Sequence, residues 1–150
     1  DGVINKEVGY LYKIDDFEFI EGIFDACLYF HSLDYKIIII SNQSGIGRGY
    51  YSEKNVKKLH NWINQTLISR GAHIDNFFYA SYFKDSKFKK YRLNKNLRKP
   101  NIGMIKLAKK KWDIDIKKSI LIGDSLTDKI TAINAGIRYK ILKFEKKIDY

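Results

Sequence analysis

Cysteine, proline and methionine are nearly absent from this 150-residue chain, which has one of each. A lone cysteine, Cys27, cannot close an internal disulfide, so the fold must rest on its core and not on covalent staples. Cys27 falls on the apolar side of a helical pattern and reads as a small buried side chain. A reducing cytoplasm is the simplest compartment. No apolar run approaches the roughly 20 residues of a membrane span, and no secretory pattern occurs, so no membrane partner is expected. Repeats, low-complexity tracts and linkers are missing as well, which makes residues 1–150 one domain. Acidic residues are outnumbered, 17 against 28 basic ones.

The composition is 45% hydrophobic and 15% aromatic, enough for a packed core. The net charge of +11 is uneven: residues 1–34 hold eight acids against two bases and contribute −6, leaving +17 for the remainder. The 16 residues Lys84–Lys99 hold eight bases and one acid. A basic excess of this kind attracts phosphate, whether on a sugar or on nucleic acid.

The stretch Lys36–Gly49, KIIIISNQSGIGRG, organises the rest. Four isoleucines in succession suit a strand buried on both faces, as in a parallel sheet covered by helices. Small polar residues and three glycines follow from Ser41, then a helical pattern from Ser52. Strand, small polar loop, helix is the arrangement in which α/β proteins hold phosphates. Ahead of it, residues 3–19 read as loop with short extended pieces. Residues 21–33 read as a helix, with His31 a helix-end or surface residue. Beyond it, Ser52 caps a helix to about Arg70, ended by Gly71. Residues 76–81 read as a strand, 82–97 as a basic loop, and 102–112 as a helix that Asn101 could cap. Residues 119–123 make a second buried strand, 127–135 a short helix and 138–142 a last strand. The alternation predicts an α/β fold: an open, mainly parallel sheet with helices on both faces.

Polar residues gather at the predicted strand ends. Ser41 ends one strand, Asp124 ends another, Asp128 lies one helical turn on, Lys99 follows the basic loop, and Asp1 opens the chain. Carboxylates at the carboxyl edge of a parallel sheet repel unless a cation joins them, and Mg²⁺ is the expected one where phosphate also binds. A hydroxyl, a lysine and amides would then neutralise a transferring phosphoryl group.

This set resembles the haloacid dehalogenase-like phosphatases, which carry D-x-D-G after the first strand, Ser or Thr after the second, a Lys further on, and G-D-x-x-x-D after the fourth. Here these are Asp1–Gly2, Ser41, Lys99 and GDSLTD at Gly123–Asp128. DGVIN, Gly9–Tyr10, FEFIEG at Phe17–Gly22, SNQSGIGRG and RKP at Arg98–Pro100 are closer still to the D-glycero-D-manno-heptose 1,7-bisphosphate phosphatase and histidinol-phosphatase subfamily. The resemblance implies a Rossmann-like fold without a large cap domain. It implies a Mg²⁺-dependent phosphatase working through an aspartyl phosphate, with the 7-phosphate of the heptose bisphosphate removed. Asp1 would be the acid and base, and its backbone carbonyl a magnesium ligand together with Asp124. Ser41 and the Asn42 amide would bind phosphoryl oxygens, and Lys99 would neutralise them. Asp128 would orient Lys99 or a metal-bound water. Glu7, Gly9, Tyr10, Gln43, Ser44 and Arg98 would hold the rest of the substrate.

Two departures stand out. The nucleophile should precede Asp1 by two residues, so residues carrying it and its mid-sheet strand are expected upstream. A polypeptide starting at Asp1 would be poorly stable and inactive. The second departure is a zinc clip of the subfamily's long loop, whose positions hold Ala80, Tyr82, Lys95 and Leu97 here; none is a zinc ligand, so no zinc is expected. The expected partner is a small phosphorylated sugar, acted on by a monomer. Histidinol phosphate or a polynucleotide 3′-phosphate is the alternative substrate, and a non-catalytic phosphosugar-binding protein is the alternative should the nucleophile be lacking.

Overall fold

The computed structural model describes residues 1–142. The elements are α1 (Ile23–Ser32), β1 (Ile38–Asn42), α2 (Ser44–Arg48), α3 (Glu53–Ile68), β2 (Asn76–Ala80), α4 (Gly103–Lys111), β3 (Ile120–Gly123), α5 (Leu126–Ala135) and β4 (Arg138–Ile141). Short 3₁₀ turns at Lys89–Arg92 and Lys95–Leu97 punctuate the basic loop.

Strands and helices alternate as expected, and both strand pairings are parallel. β1 pairs with β2 in the register Ile38 to Asn76, and β3 pairs with β4 in the register Ile120 to Arg138. The predicted single sheet is corrected in one respect: among the described residues the strands form two parallel pairs, with no ladder between β1 and β3. Side chains join the pairs instead. Period-2 alternation sends Ile37 and Ile39 to the cluster built by α1 and α3, and Ile40 to the cluster built by Ile105, Leu121 and Ala132 of α4, β3 and α5. β1 is therefore covered by helices on both faces. With one ladder partner, its residues are half-buried and not fully enclosed as the isoleucine run predicts.

The α3 prediction holds at its start for a stated reason. Ser52 Oγ accepts from the Asn55 amide, and Asn55 Oδ1 accepts from the Ser52 amide, a capping box that satisfies two otherwise orphaned donors. Its stripe Val56, Leu59, Ile63 and Leu67 is buried. Cys27 lies in the core as the sequence predicts, and Trp62 packs on the same core against Phe17 and Phe19.

Two boundaries differ. Asn101 does not cap α4; Ile102 holds that position, and the Asn101 side chain donates to the Lys95 carbonyl. The SNQSGIGRG stretch is not all loop: its middle closes one short helix, α2. Glycines in sequence suggest a loop, but Gly45 and Gly47 are buried against Tyr51 and Phe83, where a Cβ would overlap.

Side-chain and backbone contacts hold the basic loop against α3. Tyr91 receives the Phe83 amide on its carbonyl at 2.9 Å and donates its hydroxyl to Glu53 Oε1 at 2.9 Å. The Tyr91 hydroxyl, against some burial, holds Glu53 below the usual carboxylate range, aided by Lys90.

Leu67 is completely buried in the largest cluster. Leu67→Ala is expected to lower the unfolding free energy by about 2–5 kcal/mol, read as a lower urea midpoint with an unchanged m-value.

Candidate active site

The carboxyl ends of β1 and β3 and the chain start converge. Gly2 adopts a left-handed backbone (φ 73°), and a Cβ there would overlap the Asp124 carboxylate. Only glycine lets residues 1–2 approach Asp124 this closely. The Asp1 backbone nitrogen is buried close to Glu7, Lys99, Asp124 and Asp128. Asp1 Oδ1 accepts from Asn5 Nδ2 at 2.8 Å, and Asn5 is buried.

Lys99 is held at both ends. Its amide donates to Asn42 Oδ1 at 2.9 Å and its carbonyl accepts from Asn42 Nδ2 at 3.1 Å. Its ammonium donates to Asp128 Oδ1 at 2.5 Å, with side-chain exposures of only 14% and 7%. The Asn42 side chain is thus engaged with the Lys99 backbone, which does not involve the amide expected to bind a phosphoryl oxygen.

Asp128 uses both oxygens. Oδ2 accepts from the Ser125 hydroxyl at 2.8 Å and, more distantly, from the Asp124 and Ser125 amides, while the Asp128 amide returns a bond to Ser125 Oγ. This capping box starts α5 and fixes the carboxylate at once. Burial would raise Asp128, but Lys99 and Ser125 outweigh it and hold the carboxyl below its usual range. Asp124, four residues earlier, goes the other way: burial of its inner side and the Asp128 charge push it up. Asp124 is otherwise exposed at the mouth, and no lysine or arginine pairs with it among the described residues.

Ser41 Oγ accepts from Gln43 Nε2 at 2.8 Å. Gln43 Oε1 in turn accepts from the buried Tyr51 hydroxyl at 2.6 Å, and burial pushes Tyr51 up to about 12. With its lone pair occupied, the Ser41 hydroxyl keeps its proton for another acceptor. Arg98 carries a buried Nη1 without a hydrogen-bond partner among the described residues. Glu7 Oε1 accepts from the Gly9 amide at 2.9 Å, folding the exposed residues 7–10 into a tight turn. Tyr10 leans edge-on against Tyr50, and Arg48 stacks on Phe83. Ser44 opens α2 beside Gln43.

Gly2 thus meets Asp124, Lys99 meets Asp128, and Asn42, the neighbour of Ser41 in the chain, meets the Lys99 backbone. Sequence reasoning missed Asn5 and Tyr51. Asn5 closes the DGVIN stretch, and its return to Asp1 was open to inspection there. Tyr51 gave no signal, because only the tertiary fold aims its hydroxyl at Gln43.

The family model described as polynucleotide kinase 3 phosphatase matches residues 3–141. The D-glycero-alpha-D-manno-heptose-1,7-bisphosphate 7-phosphatase of Photorhabdus laumondii is 44% identical over 137 residues, 91% of this chain and 75% of that protein. The enzyme of the same name from Campylobacter jejuni is 40% identical over 147 residues, 98% of this chain and 80% of that protein. Among solved structures, the D,D-heptose 1,7-bisphosphate phosphatase from B. bronchiseptica, complexed with magnesium and phosphate, superposes with a TM-score of 0.80 at 25% identity, over 94% of this chain and 75% of that one. The chain belongs to the haloacid dehalogenase-like phosphatases, in the group described as polynucleotide kinase 3 phosphatase, alongside the heptose 1,7-bisphosphate 7-phosphatases.

Proposed function

We propose that this chain is a Mg²⁺-dependent phosphatase removing the 7-phosphate from D-glycero-D-manno-heptose 1,7-bisphosphate. The observation that carries the reading is the meeting of Gly2 with Asp124 and of Lys99 with Asn42 and Asp128 at strand carboxyl ends, in a chain 44% identical to such an enzyme. Both relatives above are named for the alpha anomer, so the alpha bisphosphate is the preferred substrate. The enzyme would act as a cytoplasmic monomer with an open site, because no segment between the strands is long enough for a large cap domain.

The donor set fits magnesium. Asp124 offers a hard oxygen, is raised by burial and by Asp128, and lacks a cationic side-chain partner. Asp124 and the Asp1 backbone carbonyl would hold the ion, with the nucleophile as a further ligand. When bound, it would offset charge on the phosphoryl oxygens. Asp128, with both oxygens engaged, is better suited to positioning Lys99 than to ligation.

The nucleophile would be an aspartate two residues ahead of Asp1, on a strand lying between β1 and β3. Those strands share a side-chain cluster but no ladder, which suits an intervening strand. The Asp1 carboxyl, oriented by Asn5, would protonate the leaving sugar oxygen and later take a proton from the attacking water. The Ser41 proton and the Asn42 amide would bind phosphoryl oxygens, and Lys99 would neutralise them. Glu7, Gly9, Tyr10, Gln43, Ser44 and Arg98 would hold the rest of the substrate, the Arg98 guanidinium being suited to a second phosphate. A polynucleotide 3′-phosphate is the second reading, favoured by the eight bases of Lys84–Lys99 and by the matching family model.

Phosphate release from both anomers of the heptose bisphosphate and from a 3′-phosphorylated oligonucleotide separates these readings. The protein used would include the residues ahead of Asp1. Mg²⁺-dependent release fastest from the alpha bisphosphate is expected; faster release from the oligonucleotide would reverse the order of the two.

The two carboxylates predict opposite responses. Asp124 is raised in the fold, so its ionised form is unfavourable at all pH values above its folded pKa. Asp124→Asn should raise the thermal midpoint of the metal-free protein while abolishing Mg²⁺-dependent turnover. Asp128 is lowered, so its contribution is fully present above the unfolded value of about 3.9 and is lost as pH falls below that. Urea midpoints of the wild type should drop through this acid window, and Asp128→Asn should be less stable at neutral pH with a shallower acid limb.

A further inference from the structure

At the amino ends of β1 and β2 sits a second polar cluster that the phosphatase chemistry does not use. His31 ends α1; His73 and Asp75 precede β2; Lys36 precedes β1. Five residues of strand separate Asp75 from Ala80, placing this cluster roughly 17 Å from the carboxyl-end site.

Asp75 is fixed, because its Oδ2 accepts from the Ile37 amide at 2.7 Å. His73 Nε2 lies 3.2 Å from Asp75 Oδ1, and His31 Nε2 lies 3.9 Å from Asp75 Oδ2. The two imidazoles stack with centroids 4.2 Å apart. One ligand atom from each of the three residues falls within 4.8 Å of the other two. A tetrahedral zinc ion with bonds of about 2.0–2.1 Å sets its ligand atoms about 3.4 Å apart. The 3.2 Å separation is already near that value; the 3.9 Å one runs to the other carboxylate oxygen, and rotation of the exposed His73 ring can adjust the set around one oxygen. His31 supplies the observation pointing to a ligand: its Nε2 is buried and has no hydrogen-bond partner among the described residues. An orphaned imidazole nitrogen facing a carboxylate and a second imidazole is a poor arrangement for a core and a good one for a cation. His73 is half exposed, which leaves an entry path and room for a water as fourth ligand.

We propose that His31, His73 and Asp75 bind one transition-metal ion of the zinc class, tying the end of α1 to the start of β2. The expectation of no zinc rested on positions 80, 82, 95 and 97, and this site lies elsewhere. Lys36 is the competing cation. Its ammonium stands 3.4 Å from Asp75 Oδ1 and 5.1 Å from the centre of the Trp112 ring, so it can leave the carboxylate for the ring when the metal enters. The donor set of two imidazoles and one carboxylate selects against Mg²⁺, which prefers oxygen ligands and retained waters.

The test is zinc binding to the full chain in saturating Mg²⁺, which blocks the carboxyl-end site. Elemental analysis after dialysis against buffered zinc should give one zinc per wild-type chain and none for His73→Ala. Zinc should raise the thermal midpoint of the wild type but not of the variant. His73→Gln, which keeps side-chain bulk, guards against misfolding and should also lose zinc. Both variants should keep the Mg²⁺-dependent phosphatase activity of the wild type. Equal zinc retention by the wild type and the His73 variants, or none by the wild type at micromolar free zinc, overturns the proposal.

Discussion

A single lysine, gripped at both ends, ties the carboxyl-end site together. Asn42 closes a two-way amide bond on the Lys99 backbone, and Asp128 pairs with its ammonium in a nearly dry setting. Asn42 ends β1, and Asp128 sits in the first turn of α5 just beyond β3. The two strand pairs exchange no ladder bonds, so this pairing joins them at the end where chemistry would occur. Losing either partner of a buried pair leaves a charge stranded, at a cost of roughly 3–5 kcal/mol. The Ser125 hydroxyl that caps α5 also holds the second oxygen of Asp128, so helix initiation and lysine placement share one set of atoms.

A second chain of hydrogen bonds runs from the core outwards. Tyr51 is buried with Ile46 and Val56 and stacked on Tyr12, and it fixes Gln43, which fixes Ser41. Each link sets the direction of the next. The tyrosine can only donate to the carbonyl end of Gln43, which turns its amide nitrogen towards the serine and leaves the serine proton outward. The hydroxyl is oriented by a residue ten positions away in sequence that never reaches the surface.

What was legible in the sequence was whatever local chemistry decides. The four isoleucines, the Ser52 cap, the apolar stripe of α3 and the Ser125–Asp128 box all became the predicted elements because each is specified within one or two turns of chain. The residues around Asp1, Ser41, Lys99 and Asp124 were found from their places after strands. The misses share a cause. α2 forms because Gly45 and Gly47 pack where no Cβ fits, Asn42 serves Lys99 from 57 positions away, and Asn101 turns to Lys95 instead of capping. These are tertiary facts. His31 does end α1 as its sequence reads, while its neighbours His73 and Asp75, more than 40 positions further on, are visible only in the fold.

The pair Asp124 and Asp128 shows how a small fold separates two like groups. They stand four residues apart, on either side of one helix start. Asp128 receives a lysine, a hydroxyl and a place in the interior, and its carboxyl is held low. Asp124 receives neither lysine nor hydroxyl, sits beside a negative neighbour, and is held high. The folded chain by itself is thus satisfied at one carboxylate and frustrated at the other. The frustrated one lies against Gly2, next to Asp1. A protein selected for stability alone would have neutralised Asp124 by a side chain, as it did Asp128. Leaving the negative charge uncompensated makes sense if the compensating charge comes from outside the chain, which is the role proposed for magnesium.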